Sequence, residues 1–529
     1  KFLEYFPTDP DSAKRSFLLG EILMESQDFA GATQFYERAA YDYPGYPQAA
    51  ESGYAGLLAS RAELAILTGS ARQTWEAQQL ERSLRFATVF PEHPQSSTVL
   101  TDAAESYFAA GQMEQAIQVA EQVLERDLTP TPQLQNVAWT VVAHGNFDLA
   151  NYSRAELAYK ELRSLGGSEG LAGTELDERI AASVYRQAEA AQASGDTDAA
   201  VQNYLRVAVA APTAIIGANA VYDAAALLMS EQRWEQAIDV LDSFRASYPQ
   251  HAFGDEVTTK LALAYRESGQ SMKAAREFEQ VASLDSVGAE VRREALWTAA
   301  TLYEETSGLA DARRVWKQFL GQYPDPFGEA LEVRQTLADL AGEMNDLGDR
   351  RIWLESVVSA DAKAGSQRTD RSKTLAARAI LEMAEGQWLA FSAVRLNAPL
   401  AKNLKLKRSL MESALGSYNQ AAGYGVAEVT TVATYRIGEL YYQLSVDLMD
   451  SERPAGLNEE ELEEYEMLLE EQAYPFEEQA ITMFEVNASR AMSGFYDEWV
   501  SLSYQRLAKL VPGRYAKAEK AESYVSKLY

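Results

Sequence analysis

The chain has 529 residues, more than one globular core usually organises, so several domains or a repeat array are expected. Its 48 Lys and Arg against 78 Asp and Glu give a formal net charge of −30. That charge excludes nucleic acid and anionic lipid as general partners and favours a basic protein surface.

Metal, thiol and membrane chemistry have little support in the composition. There is no cysteine, and the three histidines lie far apart, so we expect no metal site and no cofactor. No apolar run approaches the roughly 20 residues that span a bilayer, so no direct membrane insertion is expected. The chain begins at Lys1 without a signal peptide, which favours a processed or excised chain.

The first predicted helices occupy residues 13–44 and set a pattern that returns downstream. Counting Ala13 as position one, Gly20 stands at position eight, Ala32 at twenty and Tyr36 at twenty-four. We interpret this as two short amphipathic helices joined by a tight turn. Such a unit cannot bury its own apolar face, so it implies stacked copies.

A second, longer helix pair is expected between residues 47 and 91, and after it the pattern becomes regular. Units begin at residues 97, 136, 181, 218, 255, 293 and 334. Position eight is small in every unit: Gly20, Ala104, Ala143, Ala188, Ala225, Ala262, Ala300 and Ala341. Position twenty is alanine in all but one unit, where Trp353 stands. Position twenty-four is mostly large: Tyr36, Tyr159, Tyr204, Leu241, Phe278, Trp316 and Val357. Small residues opposite large ones predict closely packed helix pairs.

Position fifteen predicts the turn between the two helices of a unit. It is glycine in four units, as a left-handed residue after the first helix requires: Gly111, Gly195, Gly269 and Gly348.

This pattern resembles the tetratricopeptide repeat. The position-twenty alanines from Ala116 to Ala312 are 39, 45, 37, 37 and 38 residues apart, against 34 in the standard repeat. The family's tryptophan at position four appears only as Trp139. The resemblance covers most of residues 1–360 and implies an all-α fold, an elongated right-handed α-solenoid of helix pairs.

Four second helices end in an aromatic residue followed by proline: Tyr43-Pro44, Phe90-Pro91, Tyr248-Pro249 and Tyr323-Pro324. Proline at these points also simply stops a helix. The junctions resemble those of repeat proteins of the bacterial cell envelope, such as outer-membrane assembly lipoproteins and periplasmic partners of the Tol system. That resemblance implies a periplasmic or outer-membrane-associated location, and a cytoplasmic one stays open.

Residues 361–529 are predicted to form an enlarged C-terminal helical region that continues the repeat array of residues 1–360. Longer helices are expected near residues 372–396, 399–422 and 427–450. A degenerate unit begins at Thr431, with Gly438 at position eight. Its second helix is delayed by an insertion, and a last helix closes the stack.

The inserted segment carries its own helix signals. Asn458 with Glu461 three residues later predicts a capping box, and Tyr474-Pro475 predicts a break or kink. After the insertion, Ala480 and Phe484 supply the small and large residues of the delayed second helix.

The run from Glu459 to Glu471 is the strongest charge feature. We interpret it as a solvated helix face whose apolar stripe is formed by Leu462, Tyr465, Met467, Leu468 and Leu469. Docking of a basic partner is the alternative; a divalent cation would need converging ligands that a straight helix does not provide. A basic cluster is a candidate complement: Lys402, Lys405, Lys407 and Arg408.

Partner-binding residues follow from the resemblance, which implies that first helices line a concave groove with positions two, five, nine and twelve. In the central units these include Tyr185, Asn219, Tyr222, Glu256, Arg266, Glu294, Trp297 and Thr301. Aromatic and hydrogen-bonding groups together suit an extended or helical peptide. The alternative is that Tyr222 and Trp297 only pack between neighbouring units.

No phosphate loop, strand-borne glycine fingerprint or nucleophile elbow is present, so no enzyme activity is predicted. The sequence predicts a non-enzymatic scaffold or adaptor for other proteins in an envelope assembly or transport machinery. Alternatives are a chaperone-like receptor for peptide tails, which would need a basic groove, and the regulatory arm of an enzyme complex. End-to-end self-association also stays open.

Overall fold

The computed structural model describes residues 1–6, 8–126, 129–167 and 171–517. Within these ranges the chain forms α-helices, two short 3-10 segments and connecting loops, with no β-strand. The α-helices in chain order are α1 (Phe2–Tyr5), α2 (Ser12–Glu25), α3 (Phe29–Tyr41), α4 (Ala49–Ile66), α5 (Gly69–Val89), α6 (Ser96–Ala109), α7 (Met113–Leu124), α8 (Pro132–Asp148), α9 (Tyr152–Ser164), α10 (Thr174–Ala193), α11 (Thr197–Ala210), α12 (Ile216–Ser230), α13 (Trp234–Ser247), α14 (Gly254–Glu267), α15 (Ser271–Val281), α16 (Ala289–Glu305), α17 (Leu309–Gln322), α18 (Phe327–Glu343), α19 (Leu347–Lys363), α20 (Asp370–Ala393), α21 (Leu400–Gly423), α22 (Ala427–Met449), α23 (Glu459–Ala488), α24 (Glu498–Leu510) and α25 (Pro512–Tyr515).

The chain divides into two compact units, Lys1–Gly269 and Gln270–Tyr529. In each unit every helix packs against its neighbours along the chain. First helices also contact the first helix of a following pair, as α10 contacts α12 in the first unit and α20 contacts α22 in the second. This stacking confirms the predicted all-α solenoid. The predicted boundary near residue 360 concerns a change in repeat pattern and stays a prediction.

Small and large residues meet inside the helix pairs as predicted. A Cβ atom added to Gly20 would lie 2.8 Å from Cδ1 of Tyr36, and one added to Gly438 would lie 2.6 Å from Cε1 of Phe484. The alanines at positions eight and twenty are fully buried. The two helices of a pair therefore approach most closely where a side chain is missing or is only a methyl group.

Three of the four predicted glycine turns at position fifteen are confirmed, and this position is left-handed in seven units. Gly111, Gly195 and Gly269 have φ angles of 75°, 82° and 75°. The same position is occupied elsewhere by residues other than glycine, with φ between 57° and 63°: Gln27, Ala150, Gln232 and Ser307. The turn geometry is thus imposed by the packed helix pair and does not depend on glycine.

The predicted turn at Gly348 is wrong. Gly348 lies in the first turn of α19, and the left-handed residue is Asn345, with φ of 56°. The physical reason is that Asp346 caps α19 by accepting a hydrogen bond from the Asp349 amide at 3.1 Å, while asparagine tolerates the left-handed region. This unit is therefore registered three residues earlier than predicted, which puts Ala338 at position eight and Arg350, instead of an alanine, at position twenty.

The C-terminal helices confirm one prediction and correct another. The capping box is present, with the Asn458 side chain accepting from the Glu461 amide and the Glu461 side chain accepting from the Asn458 amide, both at 2.9 Å. Of the predicted break or kink at Pro475, the break is wrong, since α23 continues through the proline to Ala488, and the kink stays a prediction. Pro475 and Glu471, whose carbonyl loses its partner, are both exposed, so water can satisfy that carbonyl.

Candidate functional site

Tyrosine–carboxylate hydrogen bonds join successive first helices in the first unit. The Tyr185 hydroxyl in α10 donates to Asp223 Oδ2 in α12 at 2.6 Å, and the Tyr222 hydroxyl in α12 donates to Glu256 Oε2 in α14 at 2.6 Å. Burial, reinforced by the adjacent carboxylate, raises the pKa of both tyrosines above the ordinary value. Both phenols therefore stay protonated and remain donors at neutral pH.

Tyr222 combines packing with exposure. Its ring centroid lies 4.6 Å from that of Phe253, and the Lys260 ammonium lies 5.2 Å from the ring centroid. The ring is half-buried, and Asn219, three residues earlier on the same helix face, is exposed. The structure thus brings together Asn219, Tyr222 and Glu256 of the predicted groove. Exposed Arg266 pairs locally with Glu267 at 3.1 Å.

The three predicted groove residues of the second unit lie on α16. The half-buried Trp297 ring makes edge-to-face contacts with Trp316 at 4.6 Å and Phe319 at 5.2 Å. The Thr301 hydroxyl donates to the Trp297 carbonyl at 3.1 Å, and Glu294 is exposed. Trp297 therefore packs within its own helix pair while keeping part of its surface in water. The predicted groove as a partner site stays a prediction.

A second surface of the same type lies on the first helices α20, α22 and α24, and the sequence reasoning missed it. Arg436 of α22 makes a two-pronged ion pair with Glu385 of α20, at 2.9 and 2.8 Å. Its guanidinium carbon lies 5.3 Å from the Trp388 ring centroid and 5.5 Å from that of Trp499. The Tyr418 hydroxyl donates to Glu385 at 2.8 Å. Arg436 is therefore held by charge and by two aromatic faces.

The same surface continues through Arg506 of α24. Arg506 bonds both carboxylate oxygens of Glu439, at 2.6 and 2.8 Å, and its guanidinium carbon lies 4.7 Å from the Tyr442 ring centroid. Hydrogen bonding to Glu439 raises the pKa of Arg506 further. Counting from Thr431 puts Tyr435, Glu439 and Tyr442 at positions five, nine and twelve. Extending the groove rule past the central units would therefore have found these residues but not Arg436, which falls at position six.

The histidines have structural surroundings. His93 Nδ1 accepts from the Gln95 amide, and His251 Nδ1 accepts from the Phe253 amide, both at 3.2 Å. The third, His144, lies 3.0 Å from the Tyr159 hydroxyl. In the ranges that the structure describes, no three His, Cys, Asp or Glu side chains are grouped to hold a metal ion. No helix of the described chain is both long and apolar enough to cross a bilayer.

The sequence model described as tetratricopeptide repeat matches residues 99–127 and 220–251. No curated protein matches the chain. Solved structures that resemble it include a tetratricopeptide repeat protein from Parabacteroides merdae, a complex of the TPR2AB domain of yeast Sti1 with pHSP90, and PilW, a type IV pilus biogenesis factor.

Their similarity to this chain is low. In the same order, the identities are 14%, 14% and 18%, and the matches cover 54%, 58% and 44% of this chain and 98%, 96% and 96% of theirs. The TM-scores are 0.23, 0.23 and 0.20. Likeness at this level carries no argument about function.

Proposed function

We propose that this chain, which belongs to the tetratricopeptide repeat proteins, is a non-enzymatic scaffold that holds partner proteins on the first-helix surfaces of its repeats. Tetratricopeptide repeats are typical of protein-interaction scaffolds. The observation that carries the finer proposal is the concentration of half-buried aromatic rings beside fixed charges on these surfaces, at Tyr222 with Glu256 and at Arg436 with Trp388 and Trp499.

These groups suit binding for an energetic reason. Tryptophan, tyrosine and arginine supply most hot spots in protein interfaces, because they bury much area while losing little side-chain freedom. Arg436 is already fixed by Glu385 and two rings, and its side chain keeps 22% exposure. A partner would therefore meet a preorganised group, which reduces the entropy lost on binding.

The proposed setting is a bacterial envelope assembly or transport machinery, at the periplasm or outer membrane. Its support is the resemblance of the aromatic–proline junctions, three of which share one geometry. The amides of Phe90, Tyr248 and Tyr323 each donate at 2.8 Å to the carbonyl of a phenylalanine four residues earlier. Fractionation of native cells tests this setting: recovery with periplasmic or outer-membrane markers is expected, and recovery with cytosolic markers would reject it.

Photo-crosslinking tests the binding surface without disturbing the fold. Alanine at Tyr222 or Trp297 would also remove packing against Phe253 or Trp316, so neither is a clean probe. A benzophenone amino acid is instead placed at Asn219 on first helix α12, with Asp239 on second helix α13 as the matched control. Both side chains are exposed.

The expected result in living cells is a discrete crosslinked protein from the Asn219 variant and none of that species from the Asp239 variant. The same adduct from both positions, or from Asp239 alone, would remove the first-helix surface as the binding site. Far-ultraviolet circular dichroism and thermal melting confirm that both variants fold as the parent does.

A further inference from the structure

One outer stripe of α23 is both acidic and apolar. We name it the acidic–apolar face: Glu460, Glu463, Glu464, Met467, Glu470, Glu471 and Tyr474. The 30 residues of α23 contain eleven glutamates and no Lys, Arg or His. At 100° per residue these seven side chains share one side of the helix, opposite the stripe that packs on the protein.

The apolar members of this face are not part of the core. Leu469 is 8% exposed and lies on the inward stripe with the half-buried Leu462 and Tyr465. The predicted stripe is wrong for Met467 and Leu468, which are 70% and 52% exposed, and Tyr474 is 58% exposed. The Tyr474 hydroxyl donates to Glu478 at 2.8 Å, so its exposed apolar part is the ring. A face that served only to solvate the helix would not need a large apolar side chain at Met467.

The charge of the face is not neutralised from within the described chain. The expected basic complement is wrong for Lys407, which is fully buried and pairs with Asp447 at 2.5 Å. Its ammonium also donates to the carbonyls of Phe391 and Val394 at the end of α20. Of the glutamates from Glu459 to Glu471, only Glu466 makes an ion pair in the described structure, with Arg453 at 3.5 Å.

Like charges therefore face each other along α23. Glu460 and Glu464 are four residues apart, and so are Glu466 and Glu470; pairs of this spacing destabilise a helix. If solvation were the only role of this face, lysines in place of some of the glutamates would solvate the helix equally well and would also remove the repulsion. Cations supplied from outside would remove it as well, while a single divalent ion could not reach carboxylates spread along about 17 Å of helix.

We propose that the acidic–apolar face docks a basic amphipathic segment of a partner protein. Lysine or arginine side chains of that segment pair with the glutamates, and its apolar side chains cover Met467 and Tyr474. Charge complementarity requires a positively charged partner segment. The exposed apolar side chains favour a segment that is amphipathic as well as basic. Because α23 is a second helix, this site is separate from the first-helix surfaces, and it does not depend on them.

The test uses the full chain and a fluorescent 18-residue peptide of Lys, Leu and Ala with Lys and Leu on one helical face. The charge variant is Glu460→Gln with Glu464→Gln and Glu471→Gln. Its control removes three exposed glutamates from the first unit: Glu51→Gln, Glu81→Gln and Glu114→Gln. We expect at least a tenfold rise in Kd for the charge variant and less than a twofold change for its control.

The apolar variant is Met467→Gln with Tyr474→Gln, and its control is Leu157→Gln with Val209→Gln, two residues that are 63% and 79% exposed. We expect at least a threefold rise in Kd for the apolar variant only. Equal weakening by the two charge variants, or no effect of the apolar variant, would reduce the face to a general acidic field and overturn the proposal. So would failure of the parent chain to bind the peptide.

Discussion

Replacing Gly438 with alanine tests whether the helix pairs close around a missing side chain. The new Cβ atom would lie 2.6 Å from Cε1 and 2.9 Å from Cδ1 of Phe484, closer than real Cβ contacts allow. The Phe484 ring is fully buried, and its centroid lies 5.6 Å from that of Tyr435. The ring therefore has no open space to move into.

The magnitude is a difference between two terms. Alanine in place of glycine in a helix interior contributes about 1 kcal/mol of stability. Overpacking a filled core costs about 1–3 kcal/mol, and the closed surroundings of Phe484 place this case in the upper part of that range. We expect a net loss of about 1–2 kcal/mol. Gly416→Ala in α21, where the position is exposed and nothing lies within 4 Å, should instead stabilise its helix by about 1 kcal/mol.

Native-state hydrogen exchange is the suitable assay, because repeat arrays lose two-state cooperativity and a single midpoint would mix the units. A loss of 1–2 kcal/mol corresponds to roughly 5- to 30-fold faster exchange in peptides from α22 and α23. Gly416→Ala should slow exchange in α21. If Gly438→Ala slowed exchange in α22 as well, close packing would not be the reason for glycine at position eight.

Three further predictions concern buried groups and turns. Lys407→Met should destabilise the second unit by about 2–4 kcal/mol, because it breaks the buried ion pair with Asp447. The control is Lys405→Met at an exposed position. Equal hydrogen-exchange rates in the two variants would contradict the prediction. Burial lowers the pKa of His144 below its ordinary value of 6.5, so only the unfolded chain gains a proton as pH falls through 6.5. Protonation favours the unfolded chain, and the free energy of unfolding therefore decreases below that pH. His144→Gln should accordingly lose less melting temperature between pH 7.5 and 5 than the parent, whereas equal losses would exclude His144 as the cause. Ala150→Gly should stabilise the first unit by roughly 0.5–1 kcal/mol, because φ is 61°; a lower melting temperature would refute this.

The features that recur in every repeat could be predicted from the sequence, whereas differences between individual repeats could not. The small residue at position eight could be predicted because the facing helix leaves no space for a larger side chain there. Gly20, which lies against the Tyr36 ring, is an example. The turn between α18 and α19 could not be predicted from the position of a glycine. It lies three residues earlier, because Asp346 caps α19 and Asn345 adopts the left-handed conformation. Local composition favoured Gly348, and the cap decided the register.

The site was harder to predict because its contacts are long-range. Tyr222 and Glu256 were both named as groove residues, but their hydrogen bond joins residues 34 apart. Arg436 and Glu385 are 51 residues apart, and no spacing rule links them across helices of unequal length. The interpretation of the acidic run was right about Leu469 on the inward stripe and wrong about Met467 and Leu468, which are exposed. It was also wrong in offering Lys407 as a complement, because burial of a lysine is not visible in composition.

In the hydrogen bonds between first helices, a tyrosine hydroxyl already occupies the carboxylate oxygen. A ligand must compete with that hydroxyl for the same acceptor. A ligand donor that reaches Glu256 or Asp223 must displace the hydroxyl of Tyr222 or Tyr185, so one hydrogen bond replaces another and the net gain is small. Affinity on this surface would then come from ring faces and buried area. Such a surface would distinguish ligands by shape more than by their hydrogen-bonding groups.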